Sequence, residues 1–201
     1  MSQIRRAIIS CHDKTGLVEF AGLLRTFGVE LISTAGTLDE LRSANIEAQS
    51  IADFTGVPEM LDGRVKSLHP KVHAGLLGMR DSKLHAEQMQ AQDYPWIDMV
   101  VVNLHPVEEL IDQPGITVDE VIAQIDIGGS AMIRSAAKNF SYVTVAVDPR
   151  HYSVLMHELR AYEGSVTFAT RYRLAQHAFA HTARYDQVIA DYLESAEPKE
   201  E

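Results

Sequence analysis

The chain has 201 residues, 46% of them apolar and 23% charged, which suits one domain on a prior of about 150 residues each and excludes a disordered or collagenous polypeptide. A formal charge of -10 repels a phosphate backbone, so general nucleic-acid binding is not expected. Apolar runs such as Met99 to Val102 fall far short of the roughly 20 residues of a bilayer span, Arg5-Arg6 precede no signal-like core, and the single Cys11 forms no internal disulfide, so a cytoplasmic protein without membrane contact is expected.

In chain order, Ala7 to Ser10 reads as a strand whose continuous apolarity predicts burial on both faces. Leu17, Phe20, Leu23, Leu24 and Phe27 recur at helical spacing, and Gly28 stands where a left-handed C-cap belongs. Val29 to Ser33 then completes a βαβ unit. The pattern Thr37-x-x-Glu40 predicts a capping box opening the next helix, and Thr117-x-x-Glu120 predicts another. Met99 to Leu104 and Val143 to Val147 read as further strands. Leu174, Ala178, His181, Tyr185, Val188 and Tyr192 mark a long last helix, whose apolar stripe serves either a partner subunit or the interior of one subunit. The expected architecture is an α/β domain over residues 1–195, a three-layer, mostly parallel sheet with helices on both faces, followed by a polar tail at 196–201. Ligands of such sheets lie beyond the carboxyl ends of the strands.

Three clusters follow strand ends or interrupt the helical patterns. Ser10 to Gly16 and Ser33 to Thr37 are hydroxyl-rich loops leading into helices, with Lys14 between them. Ordinary capping would explain either alone; together they predict a phosphate cradle of backbone N–H groups, hydroxyls and one ammonium. The segment from Asp62 to His73 gathers Arg64, Lys66 and Lys71 around Gly63 and Pro70. Such a basic loop in an acidic protein reads as an anion site, with Arg64 gripping an oxyanion bidentately and Lys66 acting as a point charge or acid. His69 and His73 are separated by Pro70 and lack a third ligand, and the His177/His181 pair reads as packing rather than metal binding, so no metal is expected. The third cluster runs through Asn103-Leu104-His105-Pro106 and Asp126 to Ser130, where Gly128-Gly129 can present bare amides at a helix start. Ser130, Arg134 and Lys138 recur at i, i+4, i+8, a stripe able to aim a hydroxyl and two cations at one cleft.

Seven strings spread in order over nearly the whole chain carry a family resemblance: Asp13 to Ala21, Ser33-Thr34-x-Gly36-Thr37, Gly63-Arg64-Val65-Lys66-x-Leu68-His69-Pro70, Asn103-Leu104-x-Pro106, Asp126-Ile127-Gly128-Gly129, Ala136-Ala137-Lys138-Asn139 and Ala178 to Ala183. The chain closely resembles the IMP cyclohydrolase domain of the bifunctional AICAR transformylase/IMP cyclohydrolase family. The resemblance implies a methylglyoxal-synthase-like fold, a homodimer, no cofactor or metal, and closure of 5-formamidoimidazole-4-carboxamide ribotide to IMP and water. It also implies roles. Lys66, Asp126, Lys138 and the position of His105 would be catalytic. Asn103 and the amides of Ile127 and Gly128 would place the reacting groups, and Ser10, Lys14, Thr34, Gly36, Thr37, Arg64 and Ser67 would hold the ribotide.

The chain departs from the family pattern at several places. His105 replaces a Tyr, exchanging a phenol that titrates near 10 for an imidazole near 6.5. Ala35 replaces a Gly, and Cys11-His12 replace a Val-Ser pair. No transformylase segment follows Glu201, so the expected protein is a stand-alone cyclohydrolase supplied by a separate transformylase. The alternatives are a cyclodehydratase of a related azole nucleotide and a non-catalytic purine-nucleotide-binding module. Methylglyoxal synthesis fits less well, because Gly128-Gly129 lead to Ser130 rather than Asp.

Overall fold

The computed structural model describes residues 2–196, so the tail expected at 196–201 lies, Ala196 apart, outside the described residues. In order the elements are β1 (Ser2–Gln3), β2 (Arg6–Cys11), α1 (Leu17–Thr26), β3 (Glu30–Ser33), α2 (Ala35–Ser43), β4 (Gln49–Ser50), α3 (Ile51–Thr55), α4 (Pro70–Leu77), α5 (Lys83–Ala91) and β5 (Met99–Asn103). There follow α6 (Val107–Ile111), α7 (Val118–Ala123), α8 (Ile127–Lys138), β6 (Thr144–Ala146), α9 (Tyr152–Ala161), β7 (Ser165–Val166) and α10 (Phe168–Ser195). Five strands form one parallel sheet in the order β4-β3-β2-β5-β6, and β1 pairs antiparallel with β7 as a separate ribbon.

The strand order reverses direction at β2, the central strand. Right-handed crossovers on the two sides of β2 put α1 and α2 on one face and α4 and α8 on the other, with α9 packed on α1 and α10 on α8. That is the three-layer arrangement read from the alternating pattern. Ala7, Ile8, Ile9 and Met99 to Val102 are buried, as the unbroken apolar runs require of strands covered on both faces. Gly28 takes φ 74 directly after α1, the left-handed stop expected there. Thr117 and Glu120 form both halves of the capping box at α7.

The box expected at Thr37 and Glu40 is absent. Helix α2 begins three residues earlier than that box implies, with Thr34 as its extended N-cap. Thr37, buried in the first turn, instead accepts from the Cys11 N–H (2.9 Å) and donates to the Cys11 carbonyl (3.1 Å), tying α2 to the end of β2. A tertiary demand at the strand end has overruled a local capping pattern. Of the stripe on α10, Leu174, Ala178 and Tyr185 are buried within the chain, where the helix packs on α8, α6 and β6, while His181, Val188 and Tyr192 are half-buried.

At the amino end of the sheet, Asp98 accepts from the backbone N–H groups of Arg5 (2.9 Å) and Arg6 (3.1 Å) and from Arg80 (3.2 Å). The Arg80 guanidinium lies over Trp96 and Tyr142, and burial lowers its pKa while Asp98 opposes that shift. Replacing Asp98 leaves a half-buried cation and two amides without their acceptor. Asp98→Ala is expected to destabilise the protein by about 3 kcal/mol or more, read from the urea midpoint at unchanged slope.

Candidate functional site

Two groups of predicted residues meet at the carboxyl end of the sheet. In the first, the Ser10 and Thr34 hydroxyls are hydrogen-bonded to each other at 2.7 Å across the ends of β2 and β3. Because the Thr34 side chain makes that bond and no capping bond, the first N–H groups of α2 have no side-chain acceptor among the described residues. A Cβ at Gly36 would meet nothing within 4 Å. The arrangement is an open helix start faced by hydroxyls, able to take an anion. Of Thr37 only the amide could serve an anion here, since its hydroxyl is committed to Cys11 at both its donor and acceptor positions.

Lys14 lies on the loop after β2, where Asp13 accepts from Thr15 N–H at 2.9 Å in an Asx turn. That loop is joined to the end of β5 by a reciprocal clamp. Asn103 Oδ1 accepts from the Asp13 amide (2.7 Å), and Asn103 Nδ2 donates to the Asp13 carbonyl (2.9 Å). The Asn103 side chain therefore holds two loops together, a role its sequence context did not reveal. Beside the clamp a cavity of about 670 Å³ is lined by residues including His12, Lys14, Asn103, Asp148 and His181. Arg64, Lys66 and Asp126 do not line it. Asp148 is held down to about 2 by Arg150, which donates to both its carboxylate oxygens.

The second group surrounds the head of α8. Asp126 is the N-cap, its Oδ1 accepting from Gly129 N–H at 2.6 Å while Oδ2 keeps no hydrogen-bond partner among the described residues. Tyr185 on α10 accepts the Asp126 N–H at 3.0 Å. Sequence reasoning placed Tyr185 in an apolar stripe; its hydroxyl gave no separate signal. The glycine pair proves to be a packing requirement as well as a source of amides. A Cβ at Gly128 would stand 2.5 Å from Ser67 Oγ, and one at Gly129 would stand 2.3 Å from Asp126 Oδ2. Ser67 is buried on α8's first turn, and this contact brings Lys66, one residue away, to the same end of the molecule as Asp126. Lys66 faces Glu59 at 4.0 Å, a neighbour not anticipated from sequence. The Arg64 guanidinium is exposed, without a partner among the described residues.

His105 follows β5, and its electrostatic neighbours include Asp126. Burial lowers its pKa below the ordinary imidazole value.

The remaining expectations resolve differently. Ser130 donates back to the Ile127 carbonyl (3.0 Å), Arg134 lies over the Phe179 ring (6.0 Å), and Lys138 ends α8. Twelve residues of helix separate Asp126 from Lys138, about 18 Å along the axis, so the stripe does not serve one cleft within one chain. His69 caps α4 through Lys71 N–H, His73 bonds Ser135 at 3.0 Å, and His177 bonds His151 at 3.2 Å.

A family model described as MGS-like domain matches residues 16–131. The chain belongs to the MGS-like domain family. A second model, AICARFT/IMPCHase bienzyme, matches residues 136–201 of this MGS-like chain. The bifunctional purine biosynthesis protein PurH of Acidithiobacillus ferrooxidans is 49% identical over 98% of the chain and 38% of its own length. PurH of Listeria welshimeri is 53% identical over 94% of the chain and 37% of its own length, and that of Roseobacter denitrificans 51% identical over 96% and 36%. The chain thus spans little more than a third of the length of these relatives. The crystal structure of ForH superposes with a TM-score of 0.89 at 33% identity, covering 97% of this chain and all of that one. The MGS-like fold and the cyclohydrolase-type sequence agree with the resemblance read from the seven strings.

The close contact at the head of α8 is directly testable. Gly128→Ala is expected to cost about 1–3 kcal/mol by overpacking against Ser67, and Ser67→Ala in the same chain to recover most of it. Equal losses in the single and double variants, measured by denaturant unfolding, would show that the contact does not set the cost.

Proposed function

We propose that this chain closes 5-formamidoimidazole-4-carboxamide ribotide to IMP and water. Identity near 50% to PurH over almost the whole chain carries the reading, and the two residue groups described above support it. The ribotide phosphate sits at the open start of α2, against Ser10, Thr34 and the amides of Gly36 and Thr37, with Lys14 and Arg64 supplying positive charge. The base end lies toward Lys66, Ser67, His105 and the head of α8, where Ile127 and Gly128 present amides.

A carboxamide nitrogen is a poor nucleophile because its lone pair is delocalised. The site must therefore hold it against the formyl carbon, a positioning effect able to supply roughly 7 kcal/mol or more. Attack forms the C–N bond and turns the formyl oxygen into an alkoxide. One proton leaves nitrogen as that oxygen is protonated, and the hydroxyl then departs with a second nitrogen proton as water. Asp126 Oδ2 accepts a proton, Lys66 and the α8 amides stabilise the developing oxyanion, and His105 serves the leaving hydroxyl. Acid–base help of this kind contributes about 10²–10⁴ in rate.

Lys138 cannot join these groups from its own chain. Its role is filled by the Lys138 of a second copy, packed through the face of α8 and α10 that exposes Lys138, Arg134, Phe168, Tyr172 and Phe179. A C2 dimer supplies each site with the other copy's lysine. A second substrate reading, turnover of a related azole nucleotide, draws on His105 in place of the family Tyr.

The purified chain is expected to convert the formamido ribotide in a spectrophotometric assay, with Lys138→Ala about 100-fold slower or worse. Mixing the inactive Asp126→Asn and Lys138→Ala proteins is expected to restore about a quarter of wild-type activity, since about half the re-formed dimers carry one intact site. No turnover above background overturns the reaction. Turnover confined to another azole ribotide moves the assignment to the second reading, and failure of complementation removes the shared site.

A further inference from the structure

His105 and His12 stand on different loops, after β5 and β2, and both loops are fixed by the Asn103–Asp13 clamp. The His12 N–H also donates to the Asn103 carbonyl at 3.4 Å. This framework sets the two imidazole rings against each other, centroids 4.3 Å apart and planes tilted by 57°. His12 is exposed, and it is among the residues that line the cavity beside the clamp. His105 is more enclosed, and its Nδ1 is buried without a hydrogen-bond partner among the described residues. The pairing is confined to positions where this chain departs from the family pattern, a Ser at 12 and a Tyr at 105.

The chemistry of the replacement explains why the two departures belong together. A phenol near pH 7 is a neutral group that donates and accepts. An imidazole matches it only when neutral, with one nitrogen donating and the other accepting; protonated, it has two donors and no acceptor. A histidine doing the work of that phenol must therefore resist protonation while it lies near Asp126, whose carboxylate favours the cation.

We propose that His12 is a positioning residue for His105, its ring packing over the second imidazole and keeping it neutral and aimed at the reacting end of the ribotide. This inference rests on the ring-closing reading for its catalytic meaning, although the pairing itself does not. The groups facing His105 are His12 from the loop after β2, Glu109 on α6 and Asp126 at the head of α8. Burial lowers the His105 pKa most, the His12 charge lowers it further, and Glu109 and Asp126 oppose both. Removing the His12 ring uncovers His105 and deletes the one neighbour in that set whose charge opposes the imidazolium, and both changes favour the protonated form. Activity that needs the neutral form is lost as pH falls through the His105 pKa, so raising that pKa moves the loss to higher pH.

The test compares the full chain with His12→Ser and His12→Phe. The His105 ring resonance is assigned by its disappearance in His105→Gln and titrated by NMR, alongside the pH profile of cyclisation. In His12→Ser the His105 midpoint is expected to move upward and the acid limb of kcat/KM to move with it. The ratio of kcat/KM at about pH 5.5 to that at about pH 8 should fall about threefold. His12→Phe, which keeps the cover and loses the charge, should show a smaller shift. An unmoved NMR midpoint in His12→Ser overturns the proposal, as does a moved acid limb with an unmoved midpoint. A moved midpoint in a chain that turns over no ribotide upholds the pairing and fails the ring-closing reading instead, so the two outcomes are separable.

Discussion

The two hydrogen bonds between Asn103 and the backbone of Asp13 determine how the carboxyl end of the sheet is used. Strands β2 and β5 are adjacent and parallel, and their following loops leave toward opposite faces of the molecule. Loops diverging from neighbouring strands would open a gap at the switch point. The amide side chain closes that gap by satisfying one N–H and one C=O of the other loop in full. Lys14 on one side and His105 on the other then sit on a single rigid bridge rather than on two independent loops. A substrate that spans the bridge meets groups already fixed, which is the condition for positioning to contribute to rate.

The helix α8 acts as a ruler beside that bridge. Its head is packed so closely that two successive residues must lack a Cβ, one because of the Ser67 hydroxyl and one because of the Asp126 carboxylate. Its tail is tied by Asn139 to the carbonyls of Leu76 and Gly78 at 2.6 and 3.0 Å, which fixes it to the end of α4. Since α4 and α8 run side by side, with Ser67 at one end and Leu76 at the other, the distance between Asp126 and Lys138 is set by the fold. Flexibility within one chain does not shorten it.

Much of this was legible in the residues. Unbroken apolar runs gave the four long strands, because burial on both faces leaves no polar alternation to read. Gly28 and the Thr117–Glu120 box marked a helix end and a helix start through local chemistry alone. The reading at Thr37 went astray because its hydroxyl had two suitors, the N-terminus of α2 and the backbone of Cys11, and only the tertiary structure decides between them. Tyr185 and Glu59 were missed for the same reason: their partners, Asp126 and Lys66, are remote in sequence or reached through an irregular loop. The spacing of Ser130, Arg134 and Lys138 correctly placed them on one helix but carried no information about which end of that helix faces the cleft.

The small ribbon of β1 and β7 has a consequence for how the molecule is made. Ser2 and Gln3 find their partners at Val166 and Ser165, so β1 has to wait for a segment about 160 positions later in the chain before it can pair. The five-stranded sheet needs no such wait, since its last strand ends at Ala146. Closure of the ribbon is thus a late, long-range event that seals a sheet already formed. Until it occurs, β1 stays unpaired, the kind of exposed edge through which incompletely folded copies can exchange segments.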